Sequence, residues 1–234
     1  MNIRRLGNSG LKVSQVCLGT MTFGGGADRQ TSFALMDRFV EQGGNFIDTA
    51  DQYNQGLSEE IVGRWIKERG NRDQIVLATK VYTQMGPGPN DGGLARIHIQ
   101  RAVEDSLRRL DTDVIDLYQI HRWDYGAPPE ETLEALNDLV RQGKVRYIGC
   151  SNLKAWHLAR YLTLSRERGW SRFISIQPIY SALNRGIENE VLPLCAHEGL
   201  GVMVYNPLAG GVLTGKYERG QDLPPNTRLS ERTG

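Results

Sequence analysis

Four ionisable side chains of complementary chemistry stand on or just after apolar runs of this chain: Asp48, Tyr53, Lys80 and His121. A free tyrosine has a pKa of about 10, too high for acid and base work near neutrality. An ammonium beside the phenol stabilises the phenolate and lowers that pKa, and a carboxylate beside the ammonium keeps it charged and in place. So equipped, Tyr53 can give a proton to a carbonyl oxygen, or take one back from an alcohol. His121 can donate a hydrogen bond to the same oxygen and orient it. None of the four reads as a nucleophile. The set implies polar addition across a carbonyl with a hydride from elsewhere, and therefore a nicotinamide cofactor.

Strands must bring the four together. Asp48 lies within FIDTA (46–50), a short apolar run where a charge is costly unless paired or hydrogen-bonded. Alternation puts Asp48 on the face of Phe46 and Ala50, and puts Lys80 of IVLATKV (75–81) in phase with Val76 and Ala78. Neighbouring strands would make Lys80 the cation for Asp48. Buried pairs are a poor source of stability, so four ionisable types at one end of a fold point to chemistry instead.

Five further apolar runs complete a set of seven: VCLGT (16–20), VIDLYQIH (114–121), VRYIGCSN (145–152), FISIQPIY (173–180) and GVMVYNP (201–207). Helical patterns fill the intervals at 29–42, 58–70, 94–110, 130–143, 153–169 and 189–199. The first places Phe33, Leu35, Met36, Phe39 and Val40 on one side, and the second opens on Ser58 as its expected N-cap. Even alternation predicts a parallel sheet, and no GxGxxG follows the first run to suggest an open dinucleotide-binding sheet. The expectation is α/β: a (β/α)8 TIM barrel, one domain over 1–234, with an N-terminal hairpin from IRRLG (3–7) and LKVSQV (11–16). Seven runs leave an open edge, and the Gly- and Pro-rich stretch after the seventh reads as a long loop. The expectation is a chain cut within that loop, either a fragment or part of a longer chain, lacking roughly 80 residues that would include an eighth strand.

Composition narrows the class. A net charge of +1 gives no basic field for nucleic acid, and no apolar run approaches membrane-spanning length. MNIRRLGNSG has no apolar signal-peptide core, and Cys17, Cys150 and Cys195 are widely spaced, which suits a reducing cytoplasm. The cysteines read as small buried apolar residues. No metal is expected, since Cys195 with His197 is too little for zinc. His98 and His157 read as ordinary histidines, and Trp65, Trp156 and Trp170 as packing helices on the barrel. Gly210, Gly215 and Lys216 nearly spell a P-loop, but Tyr217 replaces the Ser or Thr that would hold magnesium.

GGNFIDTADQY, GLSEEIVG, LATK, DLYQIHRWD, GKVRYIGCSN and VYNPLAGGVLTGKY, in that order and spacing, resemble the aldo-keto reductases. The likeness is closest to a bacterial branch that also resembles the β subunits of voltage-gated potassium channels. It implies a catalytic tetrad at Asp48, Tyr53, Lys80 and His121. It implies nicotinamide contacts from Ser151, Asn152 and Gln177, with Tyr205 stacking on the ring. Gly19, Thr20, Met21 and Asp48 would lie beside the cofactor, Leu208, Gly210 and Lys216 would embrace the pyrophosphate, and Asn206 and Pro207 would also bind the cofactor. Phe23, Tyr82 and Trp123 would wall the substrate pocket. The resemblance further implies a cytoplasmic reductase of small aldehydes and ketones; the preference for NADPH over NAD rests on it alone. Two alternatives stay open: a cofactor-binding regulatory subunit of slow turnover, and an inactive barrel fragment. Homo-oligomerisation is also left open.

Overall fold

The computed structural model describes residues 1–225 and 227–230. A two-stranded antiparallel hairpin, β1 (Ile3–Arg5) and β2 (Lys12–Ser14), comes first. Seven parallel strands follow: β3 (Leu18–Gly19), β4 (Phe46–Asp48), β5 (Val76–Val81), β6 (Ile115–Ile120), β7 (Val145–Ser151), β8 (Phe173–Gln177) and β9 (Gly201–Val202). They lie in one sheet in strict sequence order, with β3 and β9 at its edges. Between successive strands run α1 (Arg29–Glu41), α2 (Leu57–Arg69), α3 (Arg96–Leu110), α4 (Pro129–Arg141), α5 (Ala155–Arg168) and α6 (Val191–Glu198). This is the expected hairpin followed by a partial (β/α)8 barrel.

The two faces of each strand enter different cores. Ile47, Leu77, Tyr118, Ile148 and Ile176 pack under the helices with Trp65, Leu107 and Leu136. Phe46, Val76, Ala78 and Leu117 point the other way and pack with Met203 and with Leu6 and Val13 from the hairpin region. The hairpin thus plugs the amino end of the curled sheet and leaves its carboxyl end open for chemistry.

That plug depends on Gly7. Its backbone has φ +59, and a Cβ there would lie 2.5 Å from Gly201 N and 2.6 Å from the Gly199 carbonyl. Both neighbours are main chain and cannot rotate away. Gly7→Ala is therefore expected to destabilise the fold by about 3 kcal/mol, from overpacking and left-handed strain together. Chemical denaturation checks this, and an unchanged midpoint would contradict it.

Several elements differ from the sequence reading. The 46–50 run stops being regular strand at Asp48, although Thr49 N–H still donates to the Ala78 carbonyl. Two-residue β9 is extended irregularly by Met203 N–H to the Ile176 carbonyl and Tyr205 N–H to the Pro178 carbonyl. Ser58 is not an N-cap: α2 starts at Leu57 behind left-handed Gly56. Ser58 is instead buried, donating to the Thr20 carbonyl at 2.9 Å and meeting the Thr49 hydroxyl at 3.0 Å. Leu35 falls off the buried stripe of α1, which centres on Ser32, Met36 and Phe39. Trp65 is buried, but Trp156 is exposed at the start of α5. The stretch after β9 begins with a 3-10 turn at Ala209–Thr214, and positions 226 and 231–234 of the expected loop lie outside the described residues.

Candidate active site

Lys80 is fully buried near the carboxyl end of β5, and all three of its N–H donors are used. Its Nζ lies 2.6 Å from Asp48 Oδ2, 2.8 Å from the Thr49 carbonyl and 3.2 Å from the Tyr53 hydroxyl. The inward phase of Asp48 and Lys80 on adjacent strands places them this way. The second oxygen of Asp48 accepts from Gln119 Nε2 at 3.0 Å. Gln119 is a site residue that the sequence reading passed over, although alternation on β6 puts it on the same inward face as Leu117 and in register with Lys80.

Tyr53 stands on a turn rather than a strand. Asn54 and Gln55, which follow it, have φ of 48° and 55°, values that few non-glycine residues adopt. Asn54 Nδ2 donates to the Phe23 carbonyl at 2.6 Å and ties this turn to the loop after β3. The result aims the phenol back at Lys80, with Nζ 4.9 Å from the ring centroid.

His121 follows β6, its N–H donating to the Val81 carbonyl at 2.9 Å, and its ring meets that of Tyr53 edge-on at 6.0 Å. Burial, then the positive charges of Lys80 and Arg122, push the imidazole down to about 3. It is neutral at any physiological pH, with one N–H to offer.

The phenol departs from expectation. Burial raises the Tyr53 pKa, Lys80 lowers it, and Asp48 raises it again; the net is a value above the ordinary one. The ammonium does not act alone, because Asp48 offsets its field. Burial also disfavours the Lys80 charge, but Asp48 and Tyr53 outweigh this and raise its pKa. At neutral pH the site holds a protonated phenol beside a protonated amine.

The expected nicotinamide contacts form one network. Ser151 Oγ donates to the Gln177 carbonyl at 2.7 Å. Asn152, with φ 55°, donates from Nδ2 to the His121 carbonyl at 3.1 Å and to Ser151 Oγ at 2.9 Å. The Tyr205 hydroxyl donates to Asn152 Oδ1 at 2.9 Å, which holds its part-exposed ring at the carboxyl end. Asn206 Oδ1 accepts from Gly210 N–H at 2.6 Å, beyond Pro207 and exposed Leu208. Lys216 turns its ammonium over the Tyr217 ring instead, 5.3 Å from the centroid. Of the turn after β3, Thr20 is buried against Ser58 and the Asp48 carbonyl, Gly19 is exposed, and Met21 is 45% exposed.

The expected pocket walls fare less well. Phe23 is 1% exposed and packs in the helix-side core, so it walls no open pocket. Trp123 stacks flat on His157, centroids 4.2 Å apart, which turns it toward α5. Tyr82 lies under the Arg122 guanidinium at 5.2 Å.

Behind the Tyr53 turn lies a second buried cluster that the sequence reading did not single out. Glu59 is fully buried and accepts from Thr79 Oγ1 at 2.5 Å and Arg109 Nε at 2.6 Å. Asp51 is 1% exposed, and its Oδ2 has no hydrogen-bond partner among the described residues. Burial, then the Glu59 charge, push its carboxyl up to about 7. A carboxyl raised on folding binds its proton more tightly in the native state, so its stabilising contribution is full at low pH and is lost as pH rises from about 4 through 7. Asp51→Asn removes that loss. The variant is expected to melt higher than the parent at pH 8, with the difference vanishing near pH 4; thermal denaturation at both values checks it, and a pH-independent difference would contradict it.

Among the described residues, no group of three or more His, Cys, Asp or Glu is placed to hold a metal ion. No helix there is long and apolar enough to cross a membrane. Cys150 and Cys195 are buried and Cys17 is partly so, all as free thiols.

Comparison with known proteins shows the family. The model of the aldo/keto reductase family matches residues 15–233. An uncharacterised oxidoreductase, YrpG, of Bacillus subtilis is 45% identical, over 92% of this chain and 69% of its own. Norsolorinic acid reductase B of Dothistroma septosporum is 38% identical, over 96% of this chain and 62% of its own. Aryl-alcohol dehydrogenase [NADP(+)] of Phanerodontia chrysosporium is 38% identical, over 86% of this chain and 57% of its own. The chain thus spans less than two thirds of the length of the latter two.

Proposed function

Because the chain belongs to the aldo/keto reductase family, we propose that it reduces an aldehyde or ketone to the alcohol, with NADPH as the hydride donor. The observation that carries the reading is the triple contact of the Lys80 ammonium with Asp48, Thr49 and Tyr53. A purely structural ion pair has no need of a phenol as third partner. The names of two relatives, one carrying NADP(+) and one a reductase, support the cofactor and the direction.

The residues present fit a nicotinamide. Tyr205 presents a part-exposed ring held through its hydroxyl, Met21 and Leu208 add exposed apolar surface, and Ser151, Asn152 and Gln177 supply polar groups at the strand ends. When bound, the reduced nicotinamide supplies the hydride. Tyr53 donates its proton to the carbonyl oxygen, and Lys80 stabilises the phenolate left behind. Asp48 keeps Lys80 charged and aimed, itself steadied by Gln119. Neutral His121 offers one N–H to the same oxygen and orients it. Besides the nicotinamide, the chemistry calls for a small carbonyl substrate.

Incubation of the purified chain with NADPH and a panel of aliphatic and aromatic aldehydes and ketones tests the reading. Carbonyl-dependent loss of dihydronicotinamide absorbance is expected. No loss with any member of the panel would overturn it.

A further inference from the structure

The three residues that follow β6 take three directions. His121 turns inward, its ring edge-on to that of Tyr53. Trp123 turns toward α5 and stacks on His157. Arg122, between them, turns toward the carboxyl end of β5, where its guanidinium lies 5.2 Å from the centroid of the Tyr82 ring. The chemistry above does not use it.

Two hydrogen bonds place Arg122 relative to the cofactor side of the site. The Tyr205 hydroxyl donates to Asn152 Oδ1 at 2.9 Å, and Asn152 Nδ2 donates at 3.1 Å to the His121 carbonyl, which belongs to the peptide group leading into Arg122. The electrostatics agree. Burial raises the Tyr205 pKa, and the Arg122 charge opposes it. The same charge acts on the His121 ring, after burial and Lys80. Its positive field therefore covers the space between His121 and the ring expected to stack on the nicotinamide, where the carbonyl compound must sit.

This cation is uncompensated. The Lys80 charge is met by Asp48 at 2.6 Å, and Arg96 and Arg109 of α3 are each paired with a carboxylate. Among the described residues Arg122 has no carboxylate partner, and none of its N–H groups meets an oxygen acceptor. Asp124, two residues on, is engaged by the Leu94 and Gly126 N–H groups at 2.7 and 2.8 Å. Arg122 is also exposed, so solutes can reach it. A guanidinium resting on an aromatic ring keeps its planar fork of donors for an anion, and a carboxylate matches that fork.

We propose that Arg122 is a specificity-determining residue that receives a carboxylate carried by the substrate, so that the preferred substrates are carbonyl compounds bearing that anionic group. The inference rests on the reductase reading for its kinetic consequence, but binding of the carboxylate can be read without turnover. A phosphate of the cofactor offers related chemistry from another source, and would make NADPH binding depend on Arg122 instead.

The test compares 2-, 3- and 4-formylbenzoate with the methyl ester of each, a series that keeps the aldehyde and the ring and removes the charge. In wild type, kcat/KM for at least one acid is expected to exceed that for its ester by on the order of tenfold, the worth of one charge-assisted hydrogen bond. Arg122→Met is expected to abolish this ratio, Arg122→Glu to reverse it, and Arg122→Lys to keep part of it as a point charge without the fork. Raised ionic strength should shrink the ratio in wild type, because an exposed ion pair is screened. A ratio near one for all three pairs in wild type, or the same ratio in Arg122→Met, would overturn the proposal. Weakened NADPH binding in Arg122→Met with the acid-to-ester ratio intact would assign the residue to the cofactor phosphate, and overturns it too. Saturation-transfer NMR of the same acids and esters with NADP+ present separates this inference from the reading beneath it. Arg122-dependent binding of an acid with no turnover of any compound overturns the reductase reading and leaves this one standing. Turnover of the esters without such binding does the reverse.

Discussion

Tyr53→Phe is expected to lower kcat by about 100- to 10,000-fold, the usual worth of a positioned proton donor, while nicotinamide affinity stays close to that of the parent. The substitution deletes one oxygen, which sits 3.2 Å from Lys80 Nζ and makes no other hydrogen bond among the described residues. The ring keeps its edge-on packing against His121, so the turn and the surrounding walls have no reason to move. The groups expected to meet the nicotinamide, Ser151, Asn152, Gln177 and Tyr205, are bonded to one another and not to Tyr53. Steady-state kinetics with a titration of NADPH fluorescence would check both halves. Turnover within a few fold of the parent would remove Tyr53 from the mechanism. The raised pKa of the phenol adds a directional signature. Carbonyl reduction needs the phenol protonated and should hold steady across neutral pH, whereas alcohol oxidation needs the phenolate and should rise continuously as pH increases.

Lys80→Met should damage both stability and turnover. It leaves Asp48, 5% exposed, as a buried carboxylate facing only the Gln119 amide. Breaking a buried pair by removing one partner typically costs about 3–5 kcal/mol, because the surviving charge is uncompensated. The double variant Asp48→Asn, Lys80→Met should recover much of that stability, since removing both charges is far cheaper than removing one. It should not recover turnover, because no cation remains to receive the phenolate. Denaturant midpoints of the single and double variants, beside their kcat values, make the comparison. A single variant as stable as the parent would mean that the pair is not buried in solution as described.

Much of this site could be read in the residues. Period-two alternation put Asp48 with Phe46, and Lys80 with Ala78, on the inward face, and the strands deliver them there. That rule needs only the local backbone, so it survives ignorance of the fold. The even strand and helix spacing likewise led to a parallel sheet in sequence order, because short crossovers pair successive strands. Loops were less legible. Phe23 and Trp123 were expected at the pocket, but Phe23 is in the core and Trp123 lies flat on His157. A loop side chain follows whichever neighbours close over it, and those come from distant parts of the chain. Gln119 lay within reach of the alternation rule and was missed because an uncharged amide does not advertise itself beside Asp and Lys.

By itself, then, the sequence determined the order of strands, the inward phase of Asp48 and Lys80 and the placing of polar groups at strand ends, since each follows from local periodicity. Tertiary structure decided the electrostatics. The sequence alone suggests that Lys80 lowers the Tyr53 pKa, yet folding raises it, because burial and the Asp48 charge outweigh the ammonium. The raised pKa of buried Asp51, the neutrality of His121 and the contact of Gln52 with its ring are of the same kind. Each depends on the depth of burial and on through-space distances between segments far apart in the chain, and neither quantity is written in the order of residues.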